Sequence, residues 1–156
     1  MKIGVVMGST SDWPIVKAAA ETLEQFGVEH ETKVLSAHRT PAELEAWVKG
    51  LRERGFAAVI AAAGGAAHLA GVVAAFTTLP VIGVPIKGSS FEGMDSLLSM
   101  VQMPSGIPVA VVAVNGAKNA ALLALEILAV TDKAIEEKMT EFRKQQAQKV
   151  LSSKLD

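Results

Sequence analysis

The chain has 156 residues, half of them hydrophobic, with 15 basic and 16 acidic side chains and a net charge of -1. That length suits a single domain over 1–156 with a real core, and charges so balanced exclude the electrostatic footprint of a nucleic-acid or acidic-membrane binder. The lack of cysteine excludes disulfides and thiolate chemistry, and with no signal-peptide pattern at the start it predicts a cytoplasmic protein.

Residues 2–7 read as a buried strand, and Gly8-Ser9-Thr10-Ser11 as a turn carrying three hydroxyls. A helix follows over 12–26, with Ser11 or Asp12 as its cap, Pro14 in its first turn and Gly27 at its end. Residues 29–35 alternate in part, as an edge strand does, and His30 within them reads as a surface residue. The loop Ser36-Ala37-His38-Arg39-Thr40 leads into a helix over 41–54 that begins at Pro41.

The stretch 57–86 holds no Asp, Glu, Lys or Arg. Its glycines and prolines break it into a strand over 57–63, a Gly64-Gly65 turn, a helix over 66–78 and a strand over 81–84, which argues against a membrane span. A helix so apolar on every side needs cover on every side, which predicts that other copies of the chain pack on it. Further on come a short helix over 93–101, a strand over 109–114, a helix over 117–130 and a charged amphipathic arm at about 132–156. Strands alternating with helices predict an α/β fold: three layers, α/β/α, around a five-stranded parallel sheet in the flavodoxin-like order.

Open sheets of this kind bind ligands beyond the carboxyl ends of their strands. The loop after the first strand offers Ser9 and Asp12 to a sugar diol or phosphate. The loop after the second offers Ser36, His38 and Arg39, an imidazole whose free pKa lies near ~6.5 beside a forked guanidinium. The loop after the third, Gly64-Gly65-Ala66-Ala67-His68, lets a ligand approach the backbone and suits a carboxylate. The three histidines lie on separate elements without paired carboxylates, so no metal is expected. Lys87-Gly88-Ser89 reverses the order a phosphate loop needs, and Gly4 to Gly8 has the wrong spacing for a dinucleotide site. A phosphoacceptor domain would need an Asp where the third strand runs Ala62-Ala63-Gly64, and a flavin carrier would need flanking aromatics, whereas Trp13 and Trp47 fall inside helices as packing residues.

Taken in order, Met7 to Asp12, Ser36 to Pro41, Gly64 to Leu69, and Asp95-Ser96-Leu97 running on to Gln102-Met103-Pro104 resemble the N5-carboxyaminoimidazole ribonucleotide mutase family of bacterial purine synthesis. This is the class I branch of the phosphoribosylaminoimidazole carboxylase catalytic subunits. The resemblance implies transfer of a carboxylate from the exocyclic nitrogen to C4 of an aminoimidazole ribotide, with no cofactor, metal or ATP. It implies His38 as the general acid/base, and Arg39 with Ser9 and Ser36 on the phosphate. Asp12 would take the ribose, and Gly64, Gly65, Ala66, Ala67, His68 and Leu69 would surround the carboxylate. It further implies a homo-octamer with sites between subunits, with Gln102-Met103-Pro104 reaching a neighbour's site. The chain departs from the family pattern at Ala62, Ala70 and Val72, where Gly, Pro and Met are usual. The alternative readings are a direct CO2-dependent carboxylase of the same ribotide and a nucleotide-binding module without chemistry.

Overall fold

The computed structural model describes residues 1–88 and 90–154. Five parallel strands, β1 (Lys2–Met7), β2 (His30–Val34), β3 (Phe56–Gly64), β4 (Val81–Ile86) and β5 (Ala110–Val111), lie in the order β2-β1-β3-β4-β5. This is the predicted order. The helices are α1 (Trp13–Phe26), α2 (Pro41–Lys49), α3 (Leu69–Phe76), α4 (Met94–Val101), α5 (Ala117–Ala129) and α6 (Lys133–Leu151).

Alternate residues of the central strands feed two separate cores. Ile3, Val5 and Met7 of β1 with Ile60 of β3 and Ile82 of β4 pack against α1, α5 and the start of α6. Val6, Val59 and Ala61 pack on the other face against Leu44, Trp47 and Val48 of α2, Val73 of α3 and Met100 of α4. Cover on both faces explains why β1 and β4 are almost wholly apolar, while β2, at the edge, carries charge.

Several boundaries differ from the sequence reading, each for a local reason. A short 3-10 turn (Thr10–Asp12) precedes α1 and is capped by Ser9, whose hydroxyl accepts from the Ser11 amide at 3.3 Å, while Asp12 stands at the N-cap position of α1 without a side-chain capping bond. α2 stops at Lys49 instead of 54. α3 starts at Leu69 instead of 66, because Gly65 takes φ +63 and the Ala67 and His68 amides close tight turns onto Gly65 and Ala66 carbonyls at 2.8 Å. β4 runs on through Pro85, whose residue pairs with Ala63. β5 is only two residues long; beyond it the chain stays on β4 through single bonds, the Val112 amide donating to the Gly83 carbonyl at 3.1 Å and the Asn115 amide, at φ +60, to the Pro85 carbonyl at 2.8 Å.

Within this chain α3 is buried on one face, at Leu69, Ala70, Val73 and Ala74, while Ala75 is exposed and Val72 and Phe76 are half-buried. Met103 lies over Gly71 so closely that a Cβ there would meet its sulfur at 3.0 Å. Exposed large apolar side chains cluster on α4 and its approach, at Phe91, Met94, Leu98 and Val101, with others scattered at Met1, Trp13, Val34 and Val130 and at Val150 and Leu151. α6 is held mainly along its first half, with Arg143 paired to Glu126 of α5 just beyond it. Asp132 caps it by accepting from the Ala134 and Ile135 amides, Phe142 meets Phe26 edge-on at 5.6 Å, and Lys138 donates to the Phe26 carbonyl at 2.7 Å. Residues 144–154 are exposed, which makes the arm a projecting one. Trp47 is buried as expected, its indole N-H donating to Glu31 at 2.7 Å, whereas Trp13 is 42% exposed and does not serve as packing. His30 is half-buried, beside Glu24.

Ser96 of α4 ties this helix to the sheet where β4 ends. It is fully buried, and its hydroxyl donates to the Ile86 carbonyl at 2.8 Å. Ser96→Ala leaves that carbonyl unpaired and is expected to cost about 1–3 kcal/mol in a urea unfolding experiment.

Candidate active site

β1 and β3 are neighbours whose connections leave in opposite directions, to β2 and to β4. Such a switch point opens a crevice at the carboxyl ends of the strands. The ladder brings these ends level: Met7 pairs with Val34 on one side and Ala62 on the other, and Gly64 pairs with Ile86. A cavity of about 480 Å³ lies there.

Of the sequence-predicted residues, Ser9, Asp12, Ser36, His38, Arg39, Gly64, Gly65, Ala66, His68 and Leu69 all line this one cavity. Ala67 does not. It is 1% exposed, packed beneath the turn with its amide committed to Gly65. Among the described residues the Gly65 and Ala66 amides donate to no protein carbonyl, so the turn keeps two N-H groups for a ligand rather than four. Ala62 and Ala70, two of the departures from the family pattern, are fully buried behind the turn, and Val72 is half-buried.

Arg39 is positioned by three bonds. Its Nη2 donates to the Gly8 carbonyl at 2.6 Å, its Nε to Ser36 Oγ at 3.3 Å, and its backbone amide to the same hydroxyl at 3.2 Å. Thr40 closes the loop by accepting from the Ser36 amide at 2.8 Å. These bonds hold the guanidinium across the first two loops, beside Ser9, whose hydroxyl also meets that of Ser11 at 2.9 Å.

His38 Nε2 and His68 Nδ1 stand 2.8 Å apart, with the rings nearly perpendicular at 87°. A hydrogen bond between two ring nitrogens needs one donor and one acceptor, so a single proton occupies that line. The contact joins the loop after β2 to the turn after β3, thirty residues away. Asp12 is 8% exposed, and burial holds its carboxyl above the usual range against the opposing pull of the Ser9 amide region, the Ser11 hydroxyl and the Arg39 charge.

Beyond the predicted residues and their immediate chain neighbours, the cavity is lined by Ile86, Lys87 and Gly88 at the end of β4, which the sequence did not single out for the site. The signal was available, since they occupy the fourth strand end in line with the other three. Gln102 and Pro104 are exposed and lie off the cavity of this chain. Among the described residues no group of three or more His, Asp or Glu is placed to hold a metal ion, and no helix is long and apolar enough to cross a membrane.

The chain is similar to known proteins along nearly its whole length. The AIR carboxylase family model matches residues 2–149. The N5-carboxyaminoimidazole ribonucleotide mutase of Pyrococcus abyssi is 58% identical over 91% of this chain and 82% of its own length. The mutase of Vibrio parahaemolyticus is 54% identical over 98% of this chain and 96% of its own. A crystal structure of Treponema denticola PurE superposes with a TM-score of 0.86 at 33% identity, covering 96% of this chain and 93% of that one. With a family model spanning nearly its whole length and relatives more than half identical along it, the chain belongs to the AIR carboxylase family.

Proposed function

We propose that this chain is an N5-carboxyaminoimidazole ribonucleotide mutase, an isomerase of purine synthesis that moves a carboxylate from the exocyclic nitrogen to C4 of an aminoimidazole ribotide. The observation that carries this reading is the gathering of an oriented arginine, a buried carboxylate, a glycine turn with uncommitted amides and a coupled histidine pair around one cavity. Relatives bearing that name, at more than half identity over nearly the full chain, support it.

In this reading Arg39, Ser9 and Ser36 take the phosphate, a dianion that suits a forked donor flanked by hydroxyls. Asp12 accepts hydrogen bonds from the ribose hydroxyls. The Gly65 and Ala66 amides, with Gly64 and Leu69 alongside, receive the migrating carboxylate. The N-carboxylate loses CO2 and the exocyclic nitrogen gains a proton. C4 then attacks the CO2 and gives up its hydrogen. One proton therefore passes from carbon to nitrogen with no net change, and His38 is the group that takes and returns it. His68, bonded to His38 Nε2, holds that ring in place and sets which of its nitrogens bears the proton.

The same reading makes the chain a one-domain subunit of a cytoplasmic homo-octamer. The exposed row Phe91, Met94, Leu98 and Val101 supports association, because adjacent large apolar side chains gain from cover.

The reading is tested by following ring carboxylation from the N-carboxylated ribotide against the unsubstituted ribotide with bicarbonate. Turnover of the first is expected. Turnover of only the second would mean direct carboxylation, and of neither a binding module. In the same assay His38→Asn is expected to bind ribotide yet lose about a hundredfold or more in turnover, and near-normal turnover would remove its role. Arg39→Ala should weaken ribotide binding about tenfold or more while binding of the nucleoside without phosphate changes far less; equal losses would contradict the clamp.

Asp12 gives a pH prediction. Its native pKa is raised above 3.8 by burial, so the ionised form costs stability. The cost is absent at lower pH, where folded and unfolded states are both protonated, grows as the pH rises through the native pKa, and is complete above it. Asp12→Asn should therefore melt at or above the parent's temperature at neutral pH, lose that advantage in acid, and bind ribotide more weakly. A lower melting temperature at neutral pH would show that Asp12 supports the fold.

A further inference from the structure

Across the strand ends, the cavity's charged groups are arranged in sequence: Arg39 after β2, Asp12 after β1, the glycine turn after β3 and Lys87 after β4. Adjacent strands lie about 4.8 Å apart, so the ends of β2 and β4 are separated by about 14 Å. Arg39, its guanidinium on the Gly8 carbonyl, and Lys87 are thus rooted on opposite sides of the β1 and β3 strand ends. Gly64 pairs with Ile86, which sets Lys87 directly beside Gly65 and its uncommitted amide.

The base of Lys87 is fixed and its end is free. Its amide donates to Asn115 Oδ1 at 2.9 Å, and the Asn115 amide donates to the Pro85 carbonyl at 2.8 Å. The ammonium pairs with Glu92, both side chains being more than half exposed. An ion pair that open to water is weak and exchanges readily. Lys87 is on the cavity wall and Glu92 is not.

A substrate carrying a phosphate and a carboxylate brings two separate anionic groups, and Arg39 and Lys87 are the two fixed cations among the lining residues. Resting on the mutase reading, we propose that Lys87 is a specificity-determining residue: it leaves Glu92 when ribotide binds and pairs with the carboxylate at the glycine turn. It thereby favours the carboxylated ribotides over the decarboxylated one. No bond is made or broken by it, and the proton on C4 remains the task of His38.

The test is direct titration of the full chain with two probes, 4-carboxy-5-aminoimidazole ribonucleotide and the unsubstituted aminoimidazole ribonucleotide. Lys87→Gln is expected to weaken the first about three- to tenfold, between the effect of an exposed ion pair and that of a charge-assisted hydrogen bond. Binding of the second should change less than about twofold, which also reports that the variant is folded, and Lys87→Arg should restore most of the loss. Equal weakening of both probes, or of neither, overturns the proposal. If the parent chain binds neither ribotide, the mutase reading falls first and the proposal with it.

Discussion

The register of the central parallel ladder is the constraint on which the rest of the structure depends. Met7 lies level with Val34 and Ala62, and Gly64 with Ile86, so four successive strands release their chains along one edge of the sheet. A slip of one residue in β3 would exchange its two faces, moving Ile60 out of one core and Ala61 out of the other. Packing on both faces thus enforces the alignment that the cavity needs, and the site inherits its position from the cores beneath it.

Above this frame two long-range contacts turn separate loops into one wall. The Arg39 guanidinium reaches back to the Gly8 carbonyl, and His38 meets His68. Both span loops that the sheet brings side by side, and both commit part of a functional group to the protein itself. Arg39 keeps its remaining N-H groups for an anion, and His38 keeps its other nitrogen. Preorganisation of this sort lowers the ordering needed when a ligand arrives.

The glycine turn illustrates how a local conformation limits chemistry. Gly65 in the left-handed region starts a pair of tight turns that use up the Ala67 and His68 amides, and this both delays the start of α3 and leaves only two amides open. The same turns aim the His68 ring at His38. Ala67 fills space beneath the turn and does not line the cavity.

The sequence by itself determined the order of strands and helices, the two-sided burial of the central strands and the three loops that carry the site, because hydrophobic period, proline at helix starts and glycine turns act over short distances. It also carried the family, since four motifs in order along one chain are specific as a set. What only the tertiary structure decided depends on contacts between distant residues. These include the His38 bond to His68, the raised pKa of Asp12 from its burial, and the exclusion of Ala67 from the cavity. Lys87 stands between the two: its place after the fourth strand was legible in the sequence, and the pairing of Ile86 with Gly64 is what brings it onto the cavity wall. The packing of Met103 over Gly71 was equally hidden, because it is set by a residue far along the chain that the local pattern does not report.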